Sequence, residues 1–291
     1  DTEQDQDRID YYLNFLKRFE KENYDSAAFD RASEEMNRLA DKGYPIAMHV
    51  CAKEIYKLAL NQEHRPQIQS RLFVEALNLF TRASQKDFHH SYYYLGIMHE
   101  SGEGMKGRDM ELAMEYFIKA ASNNDAKGFF KLASYYAQGV YVEKDLDLHF
   151  KYLKQAAELG LPEAQHNLGV AYLEGQVITG NSIKALGWFE SAGKYGFIPS
   201  MVNAGKMYLE GSPDRKVDKT LHLARYWLRE AIKLGEEEVL LLYETVLKEM
   251  LQNLMISPGE YDSDPNLTKI AEFRQKVEQW EKDSINPGYK K

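Results

Sequence analysis

The chain has 291 residues, 44% of them hydrophobic and 28% charged, proportions of an ordinary folded protein that argue against disorder and against an integral membrane protein. Its 37 Lys and Arg against 45 Asp and Glu leave a net charge of −8, which repels a phosphate backbone and argues against nucleic acid as a partner. The single cysteine, Cys51, excludes an intrachain disulfide framework and any cysteine-built metal cluster.

In chain order, an acidic opening at residues 1–7 precedes two apolar-periodic stretches. Residues 8–22 (Ile9, Tyr12, Leu13, Phe15, Leu16, Phe19) and 26–42 (Phe29, Met36, Leu39) read as a helical hairpin closed by Gly43. Helices over 47–60 and 72–86 follow, joined by a loop from Asn61 to Ser70 that holds Pro66. Four more pairs are expected over 91–101 and 109–122, 126–138 and 145–158, 163–174 and 182–194, and 199–210 and 219–234. Residues 239–256 are apolar around most of a helix, so they need cover on both sides, either from a last helix over 267–284 (Ile270, Phe273, Val277, Trp280) or from a partner. Glu244, Lys248 and Glu249 within that stretch, and its length, exclude a membrane span there.

The pairs repeat. Ser91-Tyr-Tyr-Tyr-Leu95-Gly96-Ile-Met-His99-Glu-Ser-Gly102, Gly128-Phe-Phe-Lys-Leu132-Ala133-Ser-Tyr-Tyr136-Ala-Gln-Gly139, Ala164-Gln-His-Asn-Leu168-Gly169-Val-Ala-Tyr172-Leu-Glu-Gly175 and Ser200-Met-Val-Asn-Ala204-Gly205-Lys-Met-Tyr208-Leu-Glu-Gly211 align position by position, and their last glycines recur after 37, 36 and 36 residues. Each is followed by a second segment with aromatic or leucine pairs at Tyr116-Phe117, Tyr152-Leu153, Trp188-Phe189 and Trp227-Leu228. Such a period marks a solenoid of helix-turn-helix units, here helix A and helix B. A mid-helix glycine costs about 1 kcal/mol of helix propensity, so Gly96, Gly169 and Gly205 predict that helix B crosses helix A there at close range. Asp87 and Asn124 stand where other repeats have a glycine after helix B.

These motifs, above all Ala164 to Gly175 followed by Ser182-Ile-Lys-Ala185-Leu-Gly-Trp188-Phe-Glu-Ser-Ala192, resemble the Sel-1-like repeat family, relatives of the tetratricopeptide repeats. The resemblance implies an all-α, right-handed superhelical α-solenoid, with residues 1–43 as an amino-terminal cap, 44–235 as five repeats and 236–291 as carboxy-terminal capping helices of one continuous domain. It also implies a role as adaptor in multi-protein assemblies, of which membrane-protein quality control, cell-wall synthesis and organelle complexes are examples within the family.

Strings that imitate chemistry lack their context. Gly102-Glu-Gly104-Met-Lys-Gly107 spells G-x-G-x-x-G, but a helix precedes it where a dinucleotide site needs a strand. Asp262-Ser-Asp264-Pro-Asn266 begins like a calcium loop yet has Leu267 and Phe273 where glycine and glutamate belong, and reads as a surface linker. His89 and His90 are adjacent and face different ways, and no histidine pair has metal-ligand spacing. No nucleophile elbow occurs. No catalytic residue, metal or cofactor is therefore expected. Asn266-Leu267-Thr268 is a glycosylation sequon of use only in the secretory pathway. A chain opening on Asp1 leaves a removed presequence open, so cytoplasm, mitochondrion and endoplasmic-reticulum lumen all stand.

Binding is expected on the concave face lined by the A helices. Counted from the first residue of each aligned segment, offset three gives Tyr94, Lys131, Asn167 and Asn203, and offset seven gives Met98, Tyr135, Ala171 and Met207. Tyr94, Met98, Lys131, Tyr135, Asn167, Asn203 and Met207 are the expected contacts for a protein or peptide partner. The competing reading has Tyr94, Met98 and Tyr135 packing between neighbouring A helices and Asn167 serving the fold. A second expectation is a permanent complex subunit held through helix 239–256.

Overall fold

The computed structural model describes residues 26–175 and 179–285, together with Asp5 and Ile9. The expected helix 8–22 lies, Ile9 apart, outside them. Among the described residues there are α-helices and no strand: α1 (Ser26–Asp41), α2 (Pro45–Leu60), α3 (Pro66–Ser84), α4 (His90–Ser101), α5 (Met110–Ser122), α6 (Ala126–Gln138), α7 (Leu146–Glu158), α8 (Pro162–Glu174), α9 (Ser182–Lys194), α10 (Ile198–Glu210), α11 (Leu221–Lys233), α12 (Leu240–Gln252), α13 (Pro258–Asp262) and α14 (Asn266–Ile285). Helices α2, α4, α6, α8 and α10 are the A helices, and α3, α5, α7, α9 and α11 the B helices. The chain divides into two compact units, residues 1–152 and 153–291, with the division inside α7.

Local signals set the helix ends. Asp109, Asp125 and Asn181 cap α5, α6 and α9 by accepting from the backbone N–H of Leu112, Lys127 and Lys184. Gly102 ends α4 in the left-handed conformation, φ 77° and ψ 20°. Asp87 and Asn124 hold the same hand, each at φ 58°, which these two residue types tolerate because their short side chains bond locally. Pro66 corrects the expected loop 61–70: proline sits in the first turn of α3, where its missing N–H costs nothing, so the loop closes after Arg65 and the helix starts early.

Each unit builds its core from neighbour contacts. In the first, Ile9, Met36, Leu39 and Met48 form one cluster, and Phe73, Phe80, Leu95 and Met98 another. In the second, one cluster runs from Phe189 through Trp227 and Leu228 to Tyr243, Leu247 and Ile270. The close crossing expected from the mid-helix glycines is present. A Cβ on Gly169 would lie 2.7 Å from the Phe189 ring, one on Gly96 2.5 Å from Phe117 and one on Gly205 2.8 Å from Leu228.

The carboxy-terminal helices differ most from expectation. Helix α12 stops at Gln252 and Leu254 turns to φ 57°, so the apolar stretch does not stay helical to Ile256. The Asp262–Asn266 segment is no surface linker. Ser257 and Glu260 form a capping box that starts α13, and the turn after it buries Asp264, whose Oδ2 accepts from Tyr243 Oη at 2.9 Å and Arg225 Nη2 at 2.8 Å. Its Oδ1 accepts from the Asn266 N–H at 3.0 Å. A polar stretch reads as exposed from composition; here an arginine of α11 and a tyrosine of α12 supply what makes its burial affordable. The sequon asparagine is buried with it, its Nδ2 donating to Asp264 at 3.2 Å. Helix α14 covers α12 with Leu267, Ile270 and Phe273, and Arg274 and Lys248 pair with the buried Glu244. Trp280 is 70% exposed and adds little to that cover.

Candidate functional site

In the first unit, the A helices α2, α4 and α6 bring four expected residues together. The Tyr94 ring stacks on Phe80 at 4.8 Å and meets His49 edge-on at 5.6 Å. Lys127 Nζ stands 5.4 Å from the Tyr93 ring and 5.9 Å from that of Tyr94. Glu100 then joins α4 to α6, its Oε2 accepting from Lys131 Nζ at 2.6 Å and its Oε1 from Tyr135 Oη at 2.9 Å. Burial, with the Glu100 bond adding to it, raises the Tyr135 hydroxyl well above the usual phenol range, so it stays a proton donor. Met98 is 0% exposed and Tyr135 is buried as well, so both belong to the core behind this face. Tyr94 and Lys131 are half-buried and reach its surface.

In the second unit, α8, α10 and the start of α12 enclose a cleft of about 700 Å³. Ile198, Val202, Leu241 and Leu242 give it an apolar floor, and Asn203, Lys206, Glu236 and Glu238 give it polar walls. A second cleft, of about 480 Å³, runs between the ends of α8 and α10 and the turn 211–214, and it shares Asn203 and Lys206 with the first. Asn203 thus sits where the two meet. Asn167 is exposed on α8 and lines neither cleft. Met207 is buried and forms part of the second cleft's floor.

One arrangement occurs twice and was not singled out in the sequence. His49 Nδ1 lies 3.0 Å from Ser91 Oγ, and His166 Nδ1 lies 2.9 Å from Ser200 Oγ. The His49 ring packs against Phe80 at 5.5 Å and Phe88 at 5.2 Å; the His166 ring packs against Phe189 at 5.6 Å and Phe197 at 5.2 Å. Each cell takes a histidine from helix A, a phenylalanine from helix B, a second phenylalanine from the following turn and a serine from the next helix A. Phe-x7-Phe-x2-Ser, preceded by a histidine two residues into the aligned segment, is the signal that would have found it. Burial, helped by the nearby Lys53, His90 and Lys127, pushes His49 down to about 3, and burial also lowers His166. Both imidazoles are neutral at pH 7. The His89 and His90 rings, expected to diverge, lie 4.4 Å apart.

Cys51 is buried, and burial pushes its thiol up to about 12, so no thiolate is present at neutral pH. Among the described residues no three His, Cys, Asp or Glu side chains converge as a metal site requires. No described helix is long and apolar enough to cross a membrane.

Paired helices stacked on neighbour contacts define the class as a helical-repeat solenoid. Residues 89–125, 130–161, 162–196 and 198–236 match the Sel1 repeat, and the chain belongs to the Sel1-repeat family. The pair α2 and α3, expected as a further repeat, lies outside the matched residues. Among solved structures, a Sel1 repeat protein from Oxalobacter formigenes superposes with a TM-score of 0.61 at 22% identity, over 76% of this chain and 60% of that one. Immunity protein PA5088 from Pseudomonas aeruginosa superposes with a TM-score of 0.57 at 20% identity, over 78% of this chain and 82% of that one. These similarities concern the fold. Chitin synthase regulator SKT5 of Saccharomyces cerevisiae is 31% identical over 116 residues, which is 39% of this chain and 17% of that protein. The ERAD-associated E3 ubiquitin-protein ligase component HRD3B of Arabidopsis thaliana is 29% identical over 133 residues, 43% of this chain and 19% of that protein. The chain thus spans less than a fifth of the curated relatives it matches.

Proposed function

We propose that this chain is a non-catalytic adaptor that binds a partner protein or peptide on the concave, A-helix face of its repeats. The observation that carries the reading is the cleft across α8, α10 and α12: an apolar floor between α10 and α12 with Asn203 at its edge has the make-up of a peptide-binding groove. Tyr94 and Lys131 in the first unit, and Asn167 and Asn203 in the second, are the proposed contacts, each pair on its own unit, with Met98 and Tyr135 behind the first pair and Met207 behind the second. The two curated relatives, a regulator and a ligase component by name, agree with a role in assembly.

A permanent-subunit role through residues 239–256 is the second reading. It rests on Leu241, Leu254 and Met255, the last two exposed just beyond α12. Because α11 and α14 already pack on that helix, we favour the adaptor.

The test is co-purification. The tagged chain and a Tyr94→Ala/Lys131→Ala/Asn203→Ala variant are isolated from their own cells, with helical content compared by circular dichroism. Loss of the co-purifying proteins at unchanged helicity is expected. Retention of the same proteins by the variant refutes the A-helix face.

A further inference from the structure

The clefts of the second unit carry a charge pattern that the adaptor reading leaves unused. Among the described residues lining them, the acidic side chains are Glu236 and Glu238 in the first and Glu210 and Asp214 in the second, and Lys206, common to both, is the one cation. Asp214 accepts from Ser212 Oγ at 2.6 Å and lies 3.6 Å from Lys216, so its charge is largely committed. Glu237, between the two cleft glutamates, pairs with Lys276 at 3.0 Å. His166, on the wall of the first cleft, is kept neutral by burial and offsets none of the negative charge. Glu210, Glu236 and Glu238 therefore set the sign of the surface.

The layout follows α10. The first cleft takes its residues from Ile198 to Lys206 and the second from Asn203 to Asp214, so the surface runs the length of that helix. From Ile198 to Glu210 is on the order of 18 Å at 1.5 Å per helical residue, a span that about six extended residues cover at roughly 3.3 Å each. Apolar side chains find the floor of Ile198, Val202, Leu241 and Leu242. Midway, the Asn203 carboxamide offers both a donor and an acceptor, the pair that a peptide group presents. Carboxylates stand at both ends.

We propose that the groove along α10 takes an extended basic peptide, with Lys or Arg toward each end and apolar residues between, as a segment of a partner protein. This rests on the adaptor reading and narrows it to one surface and one partner chemistry. Complementary charge here sets which peptides bind and how fast, while the apolar floor supplies the contact area.

The experiment pans a phage-displayed library of random short peptides on the full chain at low salt. Enrichment of Lys and Arg flanking Leu, Ile or Phe is expected. A synthetic peptide of the selected sequence is then titrated by fluorescence anisotropy against three proteins. Relative to the wild type, Glu210→Lys with Glu238→Lys weakens it about tenfold or more, Lys206→Glu tightens it, and added salt weakens binding most in Lys206→Glu and least in the double variant. These residues other than the half-buried Glu236 are exposed, so the folded variants keep the wild-type circular dichroism. Enrichment of acidic peptides, absence of enrichment, or basic peptides that bind the double variant unchanged would each overturn the proposal. The two readings fail separately. If the double variant still captures the cellular partner as the wild type does, the acidic groove is wrong and the adaptor stands; if the wild type captures nothing, the adaptor reading itself fails.

Discussion

Replacing one glycine by alanine in each helix of the α8–α9 pair separates two effects that usually mix. Both Gly169 and Gly187 lie inside helices, so alanine gains about 1 kcal/mol of helix propensity at either place. At Gly187 a new Cβ meets nothing within 4 Å, and Gly187→Ala should stabilise by about 0.5–1 kcal/mol. At Gly169 the same atom would sit 2.7 and 2.8 Å from two Phe189 ring carbons and 3.2 Å from the Ala185 carbonyl oxygen. Phe189 is fully buried and packs against His166, so its ring cannot retreat without opening the histidine cell. Overpacking of this kind costs about 1–3 kcal/mol, which outweighs the propensity gain and leaves Gly169→Ala destabilised by about 1 kcal/mol. Gly169→Leu should lose more. Urea unfolding followed by circular dichroism at matched conditions reads the difference, about 2 kcal/mol between the two alanine variants. Equal stabilisation by both would mean that α8 and α9 do not meet at Gly169.

Three further outcomes are expected. Because His49 is lowered from 6.5 to about 3 in the folded chain, its contribution is fully present above pH 6.5 and is lost as pH falls below it. Stability should therefore drop by about 1–2 kcal/mol between pH 7.5 and pH 5 from this group, and His49→Asn should flatten the slope; equal slopes in variant and wild type would count against the cell. Tyr243→Phe removes one donor from buried Asp264 and should cost about 1–3 kcal/mol, read as a lower urea midpoint, with an unchanged midpoint speaking against the tie between α12 and the turn before α14. Deleting residues 258–291 uncovers Tyr243 and Leu247 and should make the protein self-associate in light scattering; a monodisperse monomer would show that α12 needs no cover.

The repeat was legible because each unit writes its own boundaries. Proline in the first turn of α2, α8 and α10, a positive-φ residue after every repeat helix except α2 and an apolar stripe between them are local signals, and local signals survive without knowledge of the partner helix. Asp87 and Asn124 were readable for the same reason, since the position requires a left-handed residue and both types allow one. What composition hid was non-local. Asp264 is buried only because Arg225, thirty-nine residues earlier, and Tyr243 turn toward it. Leu254 breaks α12 through a backbone turn at a residue type that ordinarily continues a helix.

The ladder divides by helix geometry, and that division could have been read from the first alignment. Residues at i, i+4 and i+7 share one face of a helix, so offset seven belongs with offsets zero and four, the stripe of Ser91 and Leu95 in α4 and of Ser200 and Ala204 in α10. All four of those residues are buried, as are Met98 and Met207 at offset seven. Offset three lies at the stripe's edge, and offsets two and six continue away from it. On α10 these are Val202, Asn203 and Lys206, which line the first cleft together. On α8 the residues at offsets two and three are His166, which lines that cleft, and Asn167, which is exposed. A stripe of packing residues and a stripe of cleft-lining residues run side by side along α10. Tyrosine and methionine at offset seven look like recognition residues by type alone; their register with Leu95 and Ala204 assigns them to the core. A charge reversal at Lys206 should therefore alter binding at little cost in stability, whereas Met207→Lys should unfold the second unit before any binding can be measured.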